Sequence, residues 1–107
     1  MNLNENTTSK KFTIVFSDDV DTELQDIYDY ISFNLFNEPA TKKLMRKISE
    51  SVKHLDTFPN MYPLSKFDGL RKINVDNYLI FYEVDENKKE VYILHACHGS
   101  RDYETLF

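Results

Sequence analysis

The chain has 107 residues, 41% of them hydrophobic and 29% charged, with a formal charge of -5 at pH 7. That length holds one modest core and excludes two ordinary domains, and the balance of apolar and charged residues excludes a wholly disordered or membrane-embedded chain. The acidic charge argues against a general affinity for nucleic acid, which rests on concentrated positive charge, so any RNA or DNA contact has to be local.

Residues 1–10 are polar and without period, and are expected to be a disordered lead-in to a single domain over residues 11–107. They lack the apolar stretch of a signal peptide, and no later run approaches the roughly 18 residues of a membrane span, so a cytoplasmic location without membrane contact is expected. KFTIVF then alternates, with Phe12, Ile14 and Phe16 on one face of a predicted strand. Ser17, Asp18 and Asp19 offer capping oxygens, and Val20, Leu24, Ile27, Tyr28, Ile31 and Leu35 recur at helical spacing. Asn37 or Glu38 can cap a second helix with Pro39 in its first turn, and Leu44, Ile48, Val52 and Leu55 form its apolar stripe up to Phe58 and Pro59.

The short connection predicts an antiparallel helical hairpin. Its charge is uneven: six acids and no base lie between Asp18 and Asp29, whereas Lys42, Lys43, Arg46, Lys47 and Lys53 face only Glu50. Two solvated helix faces that attract one another are the default reading, and separate docking surfaces the sharper one.

NMYPLSKFDG, residues 60–69, reads as a loop, after which the period changes to two. LRKINV, YLIFYEV and EVYILHAC are predicted strands, divided by Asp76-Asn77 and by DENKK, both suited to hairpin turns. Turns this short pair consecutive strands antiparallel. The order is β-α-α-β-β-β: an α+β domain with an N-terminal helical hairpin on one face of a small antiparallel sheet.

The chemistry-bearing residues crowd the end, HACHGSRDY. Strict alternation would set Val91, Ile93, His95 and Cys97 on one face and Tyr92, Leu94, Ala96 and His98 on the other. His95 and Cys97 could then share a metal, but a tetrahedral site needs four ligands and the sequence has no second cysteine, so neither metal nor cofactor is expected. Cys97 reads as a small core residue and His95 as a partly buried, satisfied histidine. His98 is either a strand-end histidine bonded to the following turn or, beside Arg101, a proton shuttle for phosphodiester cleavage. Arg101 either pairs with a carboxylate such as Glu83 or Asp102 or presents its planar fork to a target. Arg71 and Lys72 are adjacent on a strand and so face opposite sides, which lets at most one of them share a surface with Arg101.

Three segments together, DTELQDIYDYI, GLRKI...NYLIFYEVD and the terminal HGSRDY, resemble the RelE/ParE toxins of bacterial type II toxin–antitoxin systems, in this element order and from about Phe12 onward. The resemblance implies a small toxin held inactive by a cognate antitoxin. It also implies one of two targets. RelE-like members cleave mRNA on the ribosome with basic side chains, and on that branch Lys72 and Arg101, with His98 or Tyr103, would be catalytic. ParE-like members inhibit DNA gyrase, and there Arg71, Arg101 and Tyr103 become candidate target contacts. Asn74 and Leu79 stand where the RelE branch has a lysine and an arginine, and Phe107 where it has a tyrosine. A leucine cannot bind phosphate and a phenylalanine has no hydroxyl to move a proton, so the ParE-like branch is the expectation. A degenerate member that binds an antitoxin without toxicity is the third reading.

Overall fold

The computed structural model describes residues 11–100. In chain order they form β1 (Thr13–Phe16), α1 (Asp18–Asp29), a π-helical turn (Tyr30–Asn34), α2 (Glu38–Lys53), a short 3-10 turn (His54–Asp56), β2 (Arg71–Val75), β3 (Tyr78–Asp85) and β4 (Glu90–His98). The α+β class and the β-α-α-β-β-β order are those expected. The proposed lead-in, residues 1–10, lies outside the described residues.

The sheet runs β1-β4-β3-β2, with β2–β3 and β3–β4 antiparallel as the short turns require. One edge departs from an all-antiparallel sheet: β1 lies parallel to β4, from Thr13 opposite Glu90 to Phe16 opposite Ile93. Turn length could not reveal this, because no hairpin joins β1 to a neighbour. The two helices supply the long connection that parallel strands need.

Helix α1 starts where Ser17 caps it, its hydroxyl accepting from the Val20 amide at 3.0 Å, and Asp18, Asp19 and Asp21 place negative charge on the positive end of the helix dipole. Asn37 caps α2 by accepting from the Ala40 amide at 3.2 Å. Leu44, Ile48, Val52 and Leu55 are buried as their spacing predicts. They pack with Val20 and Ile31 against Ile73, Val75, Ile80, Tyr82, Val91, Ile93 and Ala96 on one face of the sheet. Each buried Val, Leu or Ile among them contributes about 1.5–3 kcal/mol. Among the described residues the opposite face carries a smaller buried cluster of Leu79, Phe81 and Cys97, with the partly buried Phe67 packed against it, its ring meeting Phe81 edge-on at 5.6 Å.

The helical stripe fails at Leu35. A π-helical turn follows α1, with the Leu35 amide donating to the Tyr30 carbonyl, so one extra residue is taken up and the phase shifts. Leu35 is 55% exposed rather than buried. Thr41, fully buried, anchors this turn to α2: its hydroxyl donates to the Asn37 carbonyl at 3.2 Å and accepts from Ser32 at 3.1 Å. The acidic and basic helix faces do not meet in an ion pair among the described residues. Lys47 reaches Asp76 at 3.0 Å, and Lys42 and Lys53 pair with Glu38 and Glu50 within their own helix.

Candidate functional site

The end of β4 owes its geometry to a bulge. Tyr82 lies opposite Ile93 and Phe81 opposite His95, so Leu94 is the extra residue. The N-cap of α1 and a residue midway along the helix satisfy the backbone groups that the bulge frees. Ser17, already the cap, donates its hydroxyl to the Leu94 carbonyl at 2.9 Å. Glu23 accepts from the Ala96 amide at 2.8 Å through one oxygen and meets His95 Nδ1 at 2.9 Å through the other. The bulge also breaks the strict alternation expected for this strand. Val91, Ile93 and Ala96 share the helix-covered core, while Cys97 joins the cluster on the other face. His95 is partly buried and satisfied by Glu23; Cys97 is buried. Among the described residues no three His, Cys, Asp or Glu side chains converge as a metal site would need.

Beyond the bulge, His98 stands on the helix-covered side opposite Tyr78, their rings edge-on at 5.2 Å. Its Nδ1 accepts from the Ser100 amide at 3.1 Å and lies 2.7 Å from the Ser100 hydroxyl, the bond to the following turn that sequence offered as one alternative. Gly99 donates to the Asn77 carbonyl at 2.7 Å, and a β-carbon there would approach that oxygen to 3.3 Å, so glycine lets the two turns close. Asn77, Tyr78, His98 and Ser100 line a groove of about 720 Å³ beside the π-helical turn, with Ile27, Tyr30, Ile31 and Leu35 as its apolar wall and Glu23 and Asp26 as its acidic lip. Burial raises the Tyr78 hydroxyl above its ordinary pKa, with Tyr30 nearby adding to the effect.

The basic candidates are scattered. Arg71 faces the core side and donates to the Tyr62 carbonyl at 2.7 Å, which ties down the loop before β2. Tyr62 in turn donates to the Ser51 carbonyl at 2.9 Å, and Tyr82 to that of Pro59 at 2.8 Å. Lys72 lies opposite Phe81, on the other side of the sheet from His98. The two candidate catalytic residues within reach of description therefore do not face a common space. Arg101 and Tyr103, like Asp102 and Phe107, lie outside the described residues. Asn74 and Leu79 are cross-strand partners beside Lys72, and Leu79 is 9% exposed within the apolar cluster.

Sequence reasoning missed Glu23, which reads as one acid among six on a solvated helix. It also missed the ridge of Tyr30, Phe33, Leu35 and Phe36, all exposed at the hairpin tip. The signal was present in SFNLFN, which carries more large apolar residues than one helical stripe can bury.

Among curated proteins none matches this sequence significantly. Among solved structures the chain is similar to the chromosomal ParDE toxin–antitoxin system of P. aeruginosa, at 22% identity and TM-score 0.71, covering 84% of this chain and 98% of that one. It is also similar to the archaeal RelE–RelB complex from Pyrococcus horikoshii, at 17% identity and TM-score 0.61, over 86% and 99% of the two chains. The intact RelBE toxin–antitoxin complex of E. coli matches at 16% identity and TM-score 0.52, over 84% and 99%. At these identities the likeness is one of fold. The family model for the ParE toxin of the type II toxin–antitoxin system parDE matches residues 14–103, from β1 through the segment after β4. With that match spanning most of its length, the chain belongs to the ParE toxin family of type II toxin–antitoxin systems.

Proposed function

We propose that residues 11–107 form one toxin domain that arrests growth in the cytoplasm by binding DNA gyrase, and that a cognate antitoxin neutralises it. The observation that carries the choice of target is the separation of the candidate catalytic groups. Lys72 shares its sheet face with Asn74 and with Leu79, Phe81 and Cys97, an apolar cluster that is itself buried and beside which Lys66 also lies, 5.5 Å from the centre of the Phe67 ring. RNA cleavage requires several groups converging on one phosphate, to hold its charge and move a proton. Lys72 and His98 sit on opposite faces, which argues against that chemistry and in favour of binding. The similarity to a ParDE system and the neighbouring antitoxin complexes support the same reading. On this reading Arg101 and Tyr103 are target contacts.

The test is induced expression without antitoxin, followed by plasmid topology and primer extension on translated mRNA. Loss of negative supercoiling with intact mRNA is expected. Ribosome-dependent cleavage that disappears in Arg101→Ala would sink the assignment.

A further inference from the structure

The net charge of the chain conceals a sharp division. Between Lys42 and Lys53 the cations Lys42, Lys43, Arg46, Lys47 and Lys53 stand against Glu50 alone, whereas the rest of the chain is acidic. Leu44, Ile48 and Val52 are buried, so α2 is held in one orientation and turns its basic face outward. On that face Lys43, Arg46, Lys47, Glu50, Ser51 and His54 line a shallow groove of about 460 Å³. Its one acid is already paired: Lys53 meets Glu50 at 2.9 Å and holds that carboxyl below its usual pKa. Lys43 and Arg46 have no ion-pair partner among the described residues. Lys42 and Lys47 reach Glu38 at 3.9 Å and Asp76 at 3.0 Å, with both partners exposed in each pair. Surface pairs of this kind are worth at most about 1 kcal/mol and yield to a denser anion.

We propose that this face of α2 is a docking surface for the phosphate backbone of duplex DNA. Charge density selects the partner. Lys42, Lys43, Arg46 and Lys47 fall within about 7.5 Å of helix axis, roughly one positive charge per 1.9 Å. Duplex DNA carries one negative charge per about 1.7 Å of its axis. Carboxylates on a protein are sparser: α1, the most acidic element of this chain, spreads six over about 18 Å, roughly one per 3 Å. A second copy offering its α1 is therefore the poorer match. No Phe, Tyr or Trp lines the groove, so it lacks the stacking platform on which single strands are held. Acids of the chain that lie beyond a Debye length, about 8 Å at physiological salt, are screened and leave the local attraction in place.

The inference goes beyond the gyrase reading and stands without it, because its test reads the free chain. Fluorescence anisotropy of a labelled duplex of about 20 base pairs is followed on titration with the full chain, from roughly 50 to 200 mM salt. Four engaged cations predict a log–log slope of affinity on salt of about -3.6, hence binding about 150-fold weaker at the higher salt. Lys43→Gln with Arg46→Gln should weaken binding at least about tenfold at the lower salt and bring the slope to about -1.8. Both side chains are exposed, so the thermal midpoint should stay that of the wild type. Lys88→Gln, on the exposed turn between β3 and β4, should leave affinity and slope unchanged. A flat salt dependence, or a double variant that binds as the wild type does, would overturn the surface. Tighter binding to poly-glutamate or to a single strand than to the duplex would overturn the occupant, as would a wild-type oligomer that the double variant abolishes. A chain that binds the duplex in this way yet leaves gyrase untouched would fail the gyrase reading while this surface stands.

Discussion

The two faces of the sheet use the same alternation for different ends. The helix-covered face buries Ile73, Ile80, Tyr82, Val91 and Ile93 under two helices. The other face carries Lys72 and Asn74 beside a smaller buried cluster, Leu79, Phe81 and Cys97, with Phe67 packed against it. Residues of one face can be exchanged only at the expense of the fold. The exposed residues of the other, such as Asn74, are freer to vary, and a surface that varies freely is where relatives with one fold acquire different targets. Here that face presents Asn74 and Lys72 around a buried apolar cluster.

The largest difference between the faces should appear on truncation. Ile80→Ala is expected to destabilise by about 2–5 kcal/mol, the range for an aliphatic side chain removed from a packed core. Leu79→Ala, one residue away on the other face, should cost less, near the lower end of that range, because the site can collapse toward solvent. Urea unfolding measures both, and equal losses would erase the contrast.

Next in size is the joint between α1 and the β4 bulge. Glu23→Ala leaves the Ala96 amide without its carboxylate acceptor, which should cost about 1–3 kcal/mol and speed hydrogen exchange at Ala96. Unchanged exchange there would mean that the bulge holds without the helix.

Tyr82→Phe removes one buried hydrogen bond, to the Pro59 carbonyl, and should cost about 1 kcal/mol. The wild type should also show a pH signature that the variant lacks. Burial raises the Tyr82 hydroxyl above its ordinary value, so the fold favours the neutral form. Its contribution is fully present below the unfolded pKa of about 10 and is lost as pH rises through the folded value. Thermal melts from pH 8 to 11 should therefore converge for the two proteins at the alkaline end. The smallest effect is expected at Lys72→Ala, within about 0.5 kcal/mol in stability and without loss of growth arrest.

Much of this contrast was legible beforehand. The period-two runs placed β2, β3 and β4, and the stripe of Leu44, Ile48, Val52 and Leu55 placed α2. The capping oxygen of Ser17 and the turn at Asp76 were equally readable, each from local chemistry. Three things were not. The parallel pairing of β1 is a long-range choice that no turn encodes. The bulge at Leu94 interrupts an apolar run whose composition is the same with or without it, and so the partners of His95 and Cys97 could not be read from alternation. The π-helical turn moved Leu35 out of the core by changing the helical period itself. Of the candidate site, the departures at Asn74 and Leu79 could be read, whereas the separation of Lys72 from His98 required the register.

The central claim is that this member of the ParE toxin family works by binding gyrase. Its most direct test is a titration of purified chain into a supercoiling reaction with purified gyrase, alongside Arg101→Ala and a ribosome-programmed mRNA. The account predicts that the wild type inhibits supercoiling, that Arg101→Ala inhibits more weakly, and that the mRNA stays whole. Undisturbed supercoiling together with cleaved mRNA would contradict it.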